Sequence, residues 1–266
     1  MPREPSHSGR AQSADRKILT LVSEALAERG AELEELDARR LRNSDIGDSS
    51  IILSMARSIE NLTRLGSHRE GVRIINEPMA TMQTLRDRLY PRLAETTLGL
   101  PATRLVDVRD DISDMNWPYW LKRKDYHHLL PNDVVRVDDE AGLAAARRHF
   151  VVQDHPFVFQ QQHVIGQDVK AYCVYSRAED ALTFFATREQ INDAANEQLR
   201  QIAENVVKAV PLEVFGADFV LTDDGPALVD VNAWPSFRQC LTGAAEAIAD
   251  MVWTATPPSK HRATSG

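Results

Sequence analysis

Apolar positions recur along this chain in two rhythms, and their alternation predicts a mixed α/β protein. Ile18, Leu19, Val22 and Leu26 fall at helical spacing within residues 13–29, with Ser13 placed to cap the start and Gly30 to end it. A weak strand at 31–36, a stronger one at 50–53, a helix at 56–65 and a strand at 72–75 follow, which suggests a small parallel sheet covered by helices. Residues 79–98 read as one long helix closed by Gly99, with Pro91 as a kink or break. Beyond it come strands at 103–106, 119–122 and 134–137, a helix at 140–150, and strands at 158–161, 169–174 and 182–186. A long amphipathic helix at 194–210, a hairpin and a helix at 243–253 complete the pattern.

The hairpin carries the most chemistry. Two apolar strands flank the turn Asp223-Asp224-Gly225, with Asp218 on the first strand and Asp230 and Asn232 ending the second. Asp230 and Asn232 are two apart and share a face, and a short hairpin can bring Asp218 beside them. Such hard oxygen donors suit Mg²⁺, with Mn²⁺ as a substitute. A strand-end Asp can equally form a turn or be satisfied by backbone amides.

Two upstream segments extend this picture. In Trp117-Pro-Tyr-Trp-Leu-Lys-Arg-Lys124 an aromatic strand ends in Lys122, whose ammonium could lie against phosphates, or simply be a solvated strand end. In the second, a strand runs through Gln161, Gln162, His163 and Val164, a connector able to offer backbone groups to an adenine edge, and the next strand places Asp168 and Lys170 on one face.

Composition limits the alternatives. The chain has 266 residues, 43% hydrophobic and 26% charged, as in an ordinary globular protein. A net charge of −8 argues against a general nucleic-acid surface, so any anion site is local. No apolar run approaches the length of a membrane span, and Cys173 and Cys240 form no metal or disulfide pattern. A cytoplasmic protein with reduced, non-catalytic thiols is expected.

Taken in order, the lysine strand, the glutamine connector, the Asp168–Lys170 pair, Asp218 and Asp230-Val-Asn232 resemble the ATP-grasp superfamily. The likeness runs from about Arg73 to the last helix. Arg86-Asp87-Arg88-Leu89 before Gly99-Leu100-Pro101 is similar to its ribosomal-protein glutamate ligase branch, within the glutathione synthetase-like group. The resemblance implies two α+β lobes enclosing ATP, preceded by a small α/β domain, whole or truncated. It divides the chain into a disordered tail (1–15), the small domain (16–100), the ATP-grasp lobes (101–256) and a loose tail (257–266). By the same resemblance Arg88 and Lys122 are the phosphate bases, Gln161 to Val164 the adenine hinge, and Asp168 and Lys170 the pair facing the transferred group. Asp218, Asp230 and Asn232 become the magnesium ligands.

Departures from the family pattern mark the substrate side. The glycine-rich loop is replaced by a segment with Lys124, His127 and His128 as candidate phosphate covers, and Ala233-Trp-Pro-Ser-Phe237 replaces Ser-Pro-Gly, which suggests an unusual acceptor pocket. The expected activity is Mg-ATP-dependent activation of a carboxylate as an acyl phosphate for attack by an amine, with Lys170, Arg188 or Arg238 as cations for the acceptor. An inositol-phosphate-kinase-like reaction is the alternative, since Arg88 and Asp230-Val-Asn232 also match that group, and a silent nucleotide-binding module is a third. Expected partners are ATP and an unknown small-molecule or peptide acceptor, without nucleic acid or membrane. A homodimer is compatible with the sequence.

Overall fold

The computed structural model describes residues 1–4, 7, 12–36, 51–67, 72–96, 99–126, 130–187 and 191–256. The first elements are α1 (Gln12–Glu28), β1 (Ile51–Leu53), α2 (Ile59–Gly66), β2 (Arg73–Ile75), α3 (Pro78–Met82) and α4 (Arg86–Ala94). There follow β3 (Thr103–Asp107), β4 (Tyr119–Arg123), β5 (Val134–Val137), α5 (Glu140–Val152), β6 (Phe157–Gln162), β7 (Gln167–Ser176) and β8 (Ala181–Ala186). The chain then forms α6 (Asp193–Ala209), β9 (Val214–Thr222), β10 (Gly225–Ala233) and α7 (Leu241–Thr254).

Two antiparallel sheets, each with its own helix, carry the architecture. The first has the order β3-β6-β4-β5. Asp139 caps α5 by accepting from the Gly142 amide, and Leu143, Ala146 and Phe150 then fall on one helix face against Tyr119, Leu121, Val137 and Val158. The second sheet has the order β10-β9-β7-β8. Asn192 caps α6, whose Leu199, Ala203 and Val206 close a core with Val169, Ala171, Phe215, Phe219 and Leu228. A third, parallel pair joins β1 to β2.

Two expected elements need correction, and the apolar residues of 16–100 contribute to more than one core. Ile18, Val22 and Leu26 of α1 pack with Ile248 and Ala249 of α7 and with Trp234 and Phe237, and Leu89 and Leu93 of α4 belong to the core under the second sheet. A further cluster, including Ile52, Leu62, Leu65 and Ile74, is local to that region. Residues 31–36 form no strand, and the helix read over 79–98 is two helices. The break falls before Arg86 rather than at Pro91, which stays inside α4, because the Arg86 and Asp87 amides donate to the Asp125 and Lys124 carbonyls at 3.3 and 2.9 Å.

The first residues are anchored as well. The Met1 amine donates to the Leu53 carbonyl at 2.7 Å, and Glu4 accepts from the Arg57 and Ser58 amides, the Ser58 hydroxyl and the Asn61 side chain. These contacts give Met1 and Glu4, at the start of the tail expected over residues 1–15, defined partners. Residues 257–266, Leu98, His127, His128 and Arg188 lie outside the described residues.

Candidate active site

The hairpin forms as its turn residues dictate, and Gly225 takes a φ of +117° that suits glycine. A regular ladder continued from Thr222↔Gly225 would put Val229 opposite Asp218 and turn Asp230 to the core face. Instead the register shifts between Leu228 and Asp230, so that Asp230 pairs with Asp218 and Asn232 with Gly216. A one-residue bulge of this kind flips every following side chain to the other face. It brings Asp218, Asp230 and Asn232 together, and the Asn232 amide nitrogen lies 3.3 Å from Asp218 Oδ2.

The bulge also frees the Val229 carbonyl on the open side of β10, an edge strand. Two groups from elsewhere take it. Lys122 Nζ donates to Val229 O at 3.0 Å and to Gln161 Oε1 at 2.6 Å, and the Tyr90 hydroxyl donates to Val229 O at 3.1 Å. Lys122 thus bridges the first sheet to the second. Burial pushes its pKa down to about 8, the Asp230 carboxylate partly opposing and Arg86 adding to the depression.

Asp230 is itself paired. Arg86 Nη2 and Nε donate to Asp230 Oδ2 at 2.9 and 3.3 Å, while Nη1 donates to the Arg123 and Tyr126 carbonyls. Arg86 is 2% exposed, so this is a buried ion pair that also ties the β4–β5 connector to the second sheet. On the other side of the face, Lys170, opposite Asp218 in the ladder, reaches Asp218 Oδ1 at 2.7 Å. Lys122, Arg86 and Lys170 thereby set three cations around two carboxylates, an excess of positive charge that suits a polyanion.

No family model and no curated protein matches the sequence. Solved structures do match. A RimK domain ATP-grasp protein from Sphaerobacter thermophilus is 24% identical with a TM-score of 0.70, over 88% of this chain and 94% of that one. The chain has the ATP-grasp fold. The ATP-grasp ligase PsnB, solved with a minimal precursor, matches at 16% identity and a TM-score of 0.64 over 90% and 95% of the two chains. An ADP complex of PurK, N5-carboxyaminoimidazole ribonucleotide synthetase, matches at 12% and 0.67 over 88% and 74%.

Within this ATP-grasp chain the residues expected at the site separate into groups. Lys122, Gln161, Lys170, Asp218, Asp230 and Asn232 come together as described. Gln162 turns away, its amide donating to the Asn116 and Pro118 carbonyls, and His163 accepts from the Trp120 indole at 3.1 Å. Val164 is half-buried just past β6, and Asp168 is exposed on β7. Lys124 lies two residues beyond Lys122 with its ammonium 5.2 Å from the Phe157 ring centre, and Arg238 is exposed after Phe237. Arg88 is exposed on α4, so Arg86 rather than Arg88 reaches Asp230. Two residues along a helix turn a side chain by roughly 200°, which rules out both facing the same way. Arg88→Ala is therefore expected to leave Mg·ATP affinity within about twofold, a change under ~0.5 kcal/mol as for other exposed sites. Calorimetric titration of the variant checks this.

The bulky segment after Asn232 also differs from expectation. Trp234 and Phe237 are buried in the core shared by α1 and α7, and the Trp234 indole donates to the Ile75 carbonyl at 3.0 Å. Pro235 packs over Gly216, where a Cβ would come within 3.1 Å of its ring.

Among the described residues no three His, Cys, Asp or Glu side chains are placed to hold a metal, and the trio at the hairpin has two carboxylates and one amide. That set fits a magnesium ion whose remaining ligands are phosphate oxygens and water, the usual arrangement in nucleotide sites. The low pKa of Lys122 supplies a further test. Phosphates beside the ammonium restore its charge, so nucleotide binding at pH 8.5 is expected to take up about one proton, with affinity falling as pH rises above about 8. Calorimetric enthalpies in buffers of different ionisation heat measure the uptake, and identical enthalpies at that pH would contradict it.

Proposed function

We propose that this protein is a Mg-ATP-dependent ligase that activates a carboxylate for attack by an amine. The observation that carries the reading is the convergence of Lys122, Arg86 and Lys170 on the Asp218–Asp230 pair at the junction of two ATP-grasp sheets. The matched structures named as ligases add support at the level of fold. Asp218, Asp230 and Asn232 would hold a magnesium ion, whose charge would stabilise the group being transferred.

The chain's own residues do the rest. Lys122 neutralises phosphate charge from the first sheet, with Gln161 and Val229 O fixing its ammonium. Arg86 holds Asp230 in place, and Lys170 both orients Asp218 and stands where a transferred phosphoryl group would arrive. An acceptor carboxylate oxygen attacks the γ-phosphorus and ADP leaves. The amine nitrogen then attacks the acyl carbon, phosphate departs and the nitrogen loses a proton.

The kinase alternative suits the site less well. A polyphosphate substrate needs several uncommitted bases, yet Arg86, Arg123 and Lys170 are each already paired with carboxylates. The deciding experiment is ADP release across a panel of carboxylic acids, with and without added amines. Turnover that requires both an acid and an amine supports the ligase. A stable phosphorylated product without amine consumption would replace it with the kinase, and absence of any acceptor-dependent ADP release would leave a nucleotide-binding module.

A further inference from the structure

The open edge of β10 holds a second arginine site, at the opposite end from Lys122. Arg57, just before α2, donates from Nη2 to the Ala233 carbonyl, and Arg3 donates from Nη2 to the next carbonyl, that of Trp234. These carbonyls directly follow Asn232. Val229 and Ala233 are four residues apart, which places the Lys122 and Arg57 attachment points roughly 13 Å from each other along the strand. Arg86 and Asp230 lie between them.

The two arginines are held differently. Arg3 is matched by the Asp15 carboxylate at 3.2 Å. Glu4, which could have neutralised Arg57, spends its oxygens on the Arg57 and Ser58 amides, the Ser58 hydroxyl and the Asn61 amide. Arg57 has no carboxylate within salt-bridge distance among the described residues, and its one side-chain bond goes to Ala233 O. A guanidinium has five donors, so most of its fork is unused. His7 packs edge-on against Tyr126 at 4.9 Å between ring centres, closing the chain's first residues against the β4–β5 connector on this side. Arg57 also has its pKa lowered to about 9, by burial first and then by Arg3, with the Asp15, Glu4 and Asp230 carboxylates opposing the shift only in part.

We propose that Arg57 is the anion receptor of the acceptor site, binding a carboxylate of the acceptor beyond the metal ligands, with Arg3 as a positioning residue. This rests on the ligase reading above and adds the substrate's chemistry to it: the acceptor carries an anionic group that a guanidinium fork can hold. The fork suits a planar carboxylate, which it meets with two parallel hydrogen bonds. The free donors lie past Asn232, on the far side of Asp230 from the lysine that meets the nucleotide. An acceptor anchored there would present a reacting oxygen towards the Asp218–Asp230 face.

The test uses the full chain and succinate as the probe, with succinamide as its uncharged counterpart. Arg57 labelling by phenylglyoxal is followed by peptide mass mapping, in the presence of Mg·ADP. Arg57 is expected to react in the free protein, and saturating succinate is expected to slow its labelling by about tenfold, as mass action requires of an occupied site, while succinamide has no such effect. Failure of Arg57 to react, or equal protection by both compounds, would overturn the proposal. Arg57→Gln, which keeps a donor for Ala233 O, is expected to lose succinate binding and to bind Mg·ADP within about twofold of wild type. A large loss of Mg·ADP affinity would assign Arg57 to the nucleotide instead. Should the wild type fail to bind Mg·ADP, the ligase reading fails, whereas the contrast between succinate and succinamide at Arg57 is still decided separately.

Discussion

Replacing Asp230 by alanine is expected to lower ATP turnover by about a thousandfold or more and to destabilise the protein by about 3–5 kcal/mol. The first effect follows from the proposed role of Asp230 as a magnesium ligand, because metal-ion charge stabilisation is worth several kcal/mol and each ~1.4 kcal/mol is tenfold in rate. The second follows from Arg86, which is 2% exposed and whose Nη2 is 2.9 Å from Asp230. Removing one member of a buried pair leaves an uncompensated charge, which costs far more than the pair contributes. Asn232→Ala separates the two effects, since Asn232 is half-buried and its side-chain amide bonds the Asp218 carboxylate at 3.3 Å rather than a buried cation. That variant is expected to lose Mg-dependent nucleotide binding with stability within about 1 kcal/mol of wild type. Changing both members, as Asp230→Leu with Arg86→Met, is expected to recover stability without recovering turnover. Denaturant unfolding alongside single-turnover ADP release checks all three, and an Asp230→Ala protein of wild-type stability would contradict the ion-pair argument.

The hairpin, its turn and its three oxygen-bearing residues were legible from alternation and turn chemistry alone. What could not be read was the bulge. The pairing that follows from the turn puts Val229 opposite Asp218, and only the extra residue restores the face that Asp230 and Asn232 share with it. No side chain announces this device, since Val229 contributes to the site through its carbonyl. Arg86 was legible by another route. Arg86, Leu89, Tyr90 and Leu93 stand at helical spacing and form the buried face of α4, so the period already favoured Arg86 over Arg88. A motif compared letter by letter missed what the period contained. Arg3 and Arg57 carried no comparable signal, because each reaches β10 through contacts between residues more than 170 positions apart.

That dependence on distant contacts explains why the order of the first residues leaves no mark in the sequence. The polar residues of that stretch, with few apolar neighbours, resemble a solvated tail. Yet Met1, Arg3 and Glu4 are tied to Leu53, Trp234 and the start of α2 by backbone and charged groups that leave no hydrophobic period. The same region thereby brings Arg3 and Arg57 to the carbonyls that follow Asn232.

Lys122→Met is expected to weaken Mg·ATP binding by about two orders of magnitude while leaving the nucleotide-free protein at least as stable as wild type, to within about 1 kcal/mol. The affinity loss is that of a charge-assisted contact to phosphate, worth about 1.5–3 kcal/mol. The stability half follows from burial. A lysine whose pKa falls from 10.5 to about 8 bears a folding cost of roughly 3 kcal/mol for its charge at neutral pH. Because the folded value lies below the unfolded one, that cost is full below about pH 8 and is relieved as the pH rises towards 10.5. Methionine removes the charge at a similar volume, against which stands the loss of a partner for Gln161 Oε1, about 1–3 kcal/mol. Val229 O keeps the Tyr90 hydroxyl at 3.1 Å. The stability difference between variant and wild type should therefore shift in favour of wild type on raising the pH from 7 to 9.5. Urea denaturation at both values measures it, and a methionine variant more than about 2 kcal/mol less stable at pH 7 would show that Lys122 is held for the fold and not for the nucleotide.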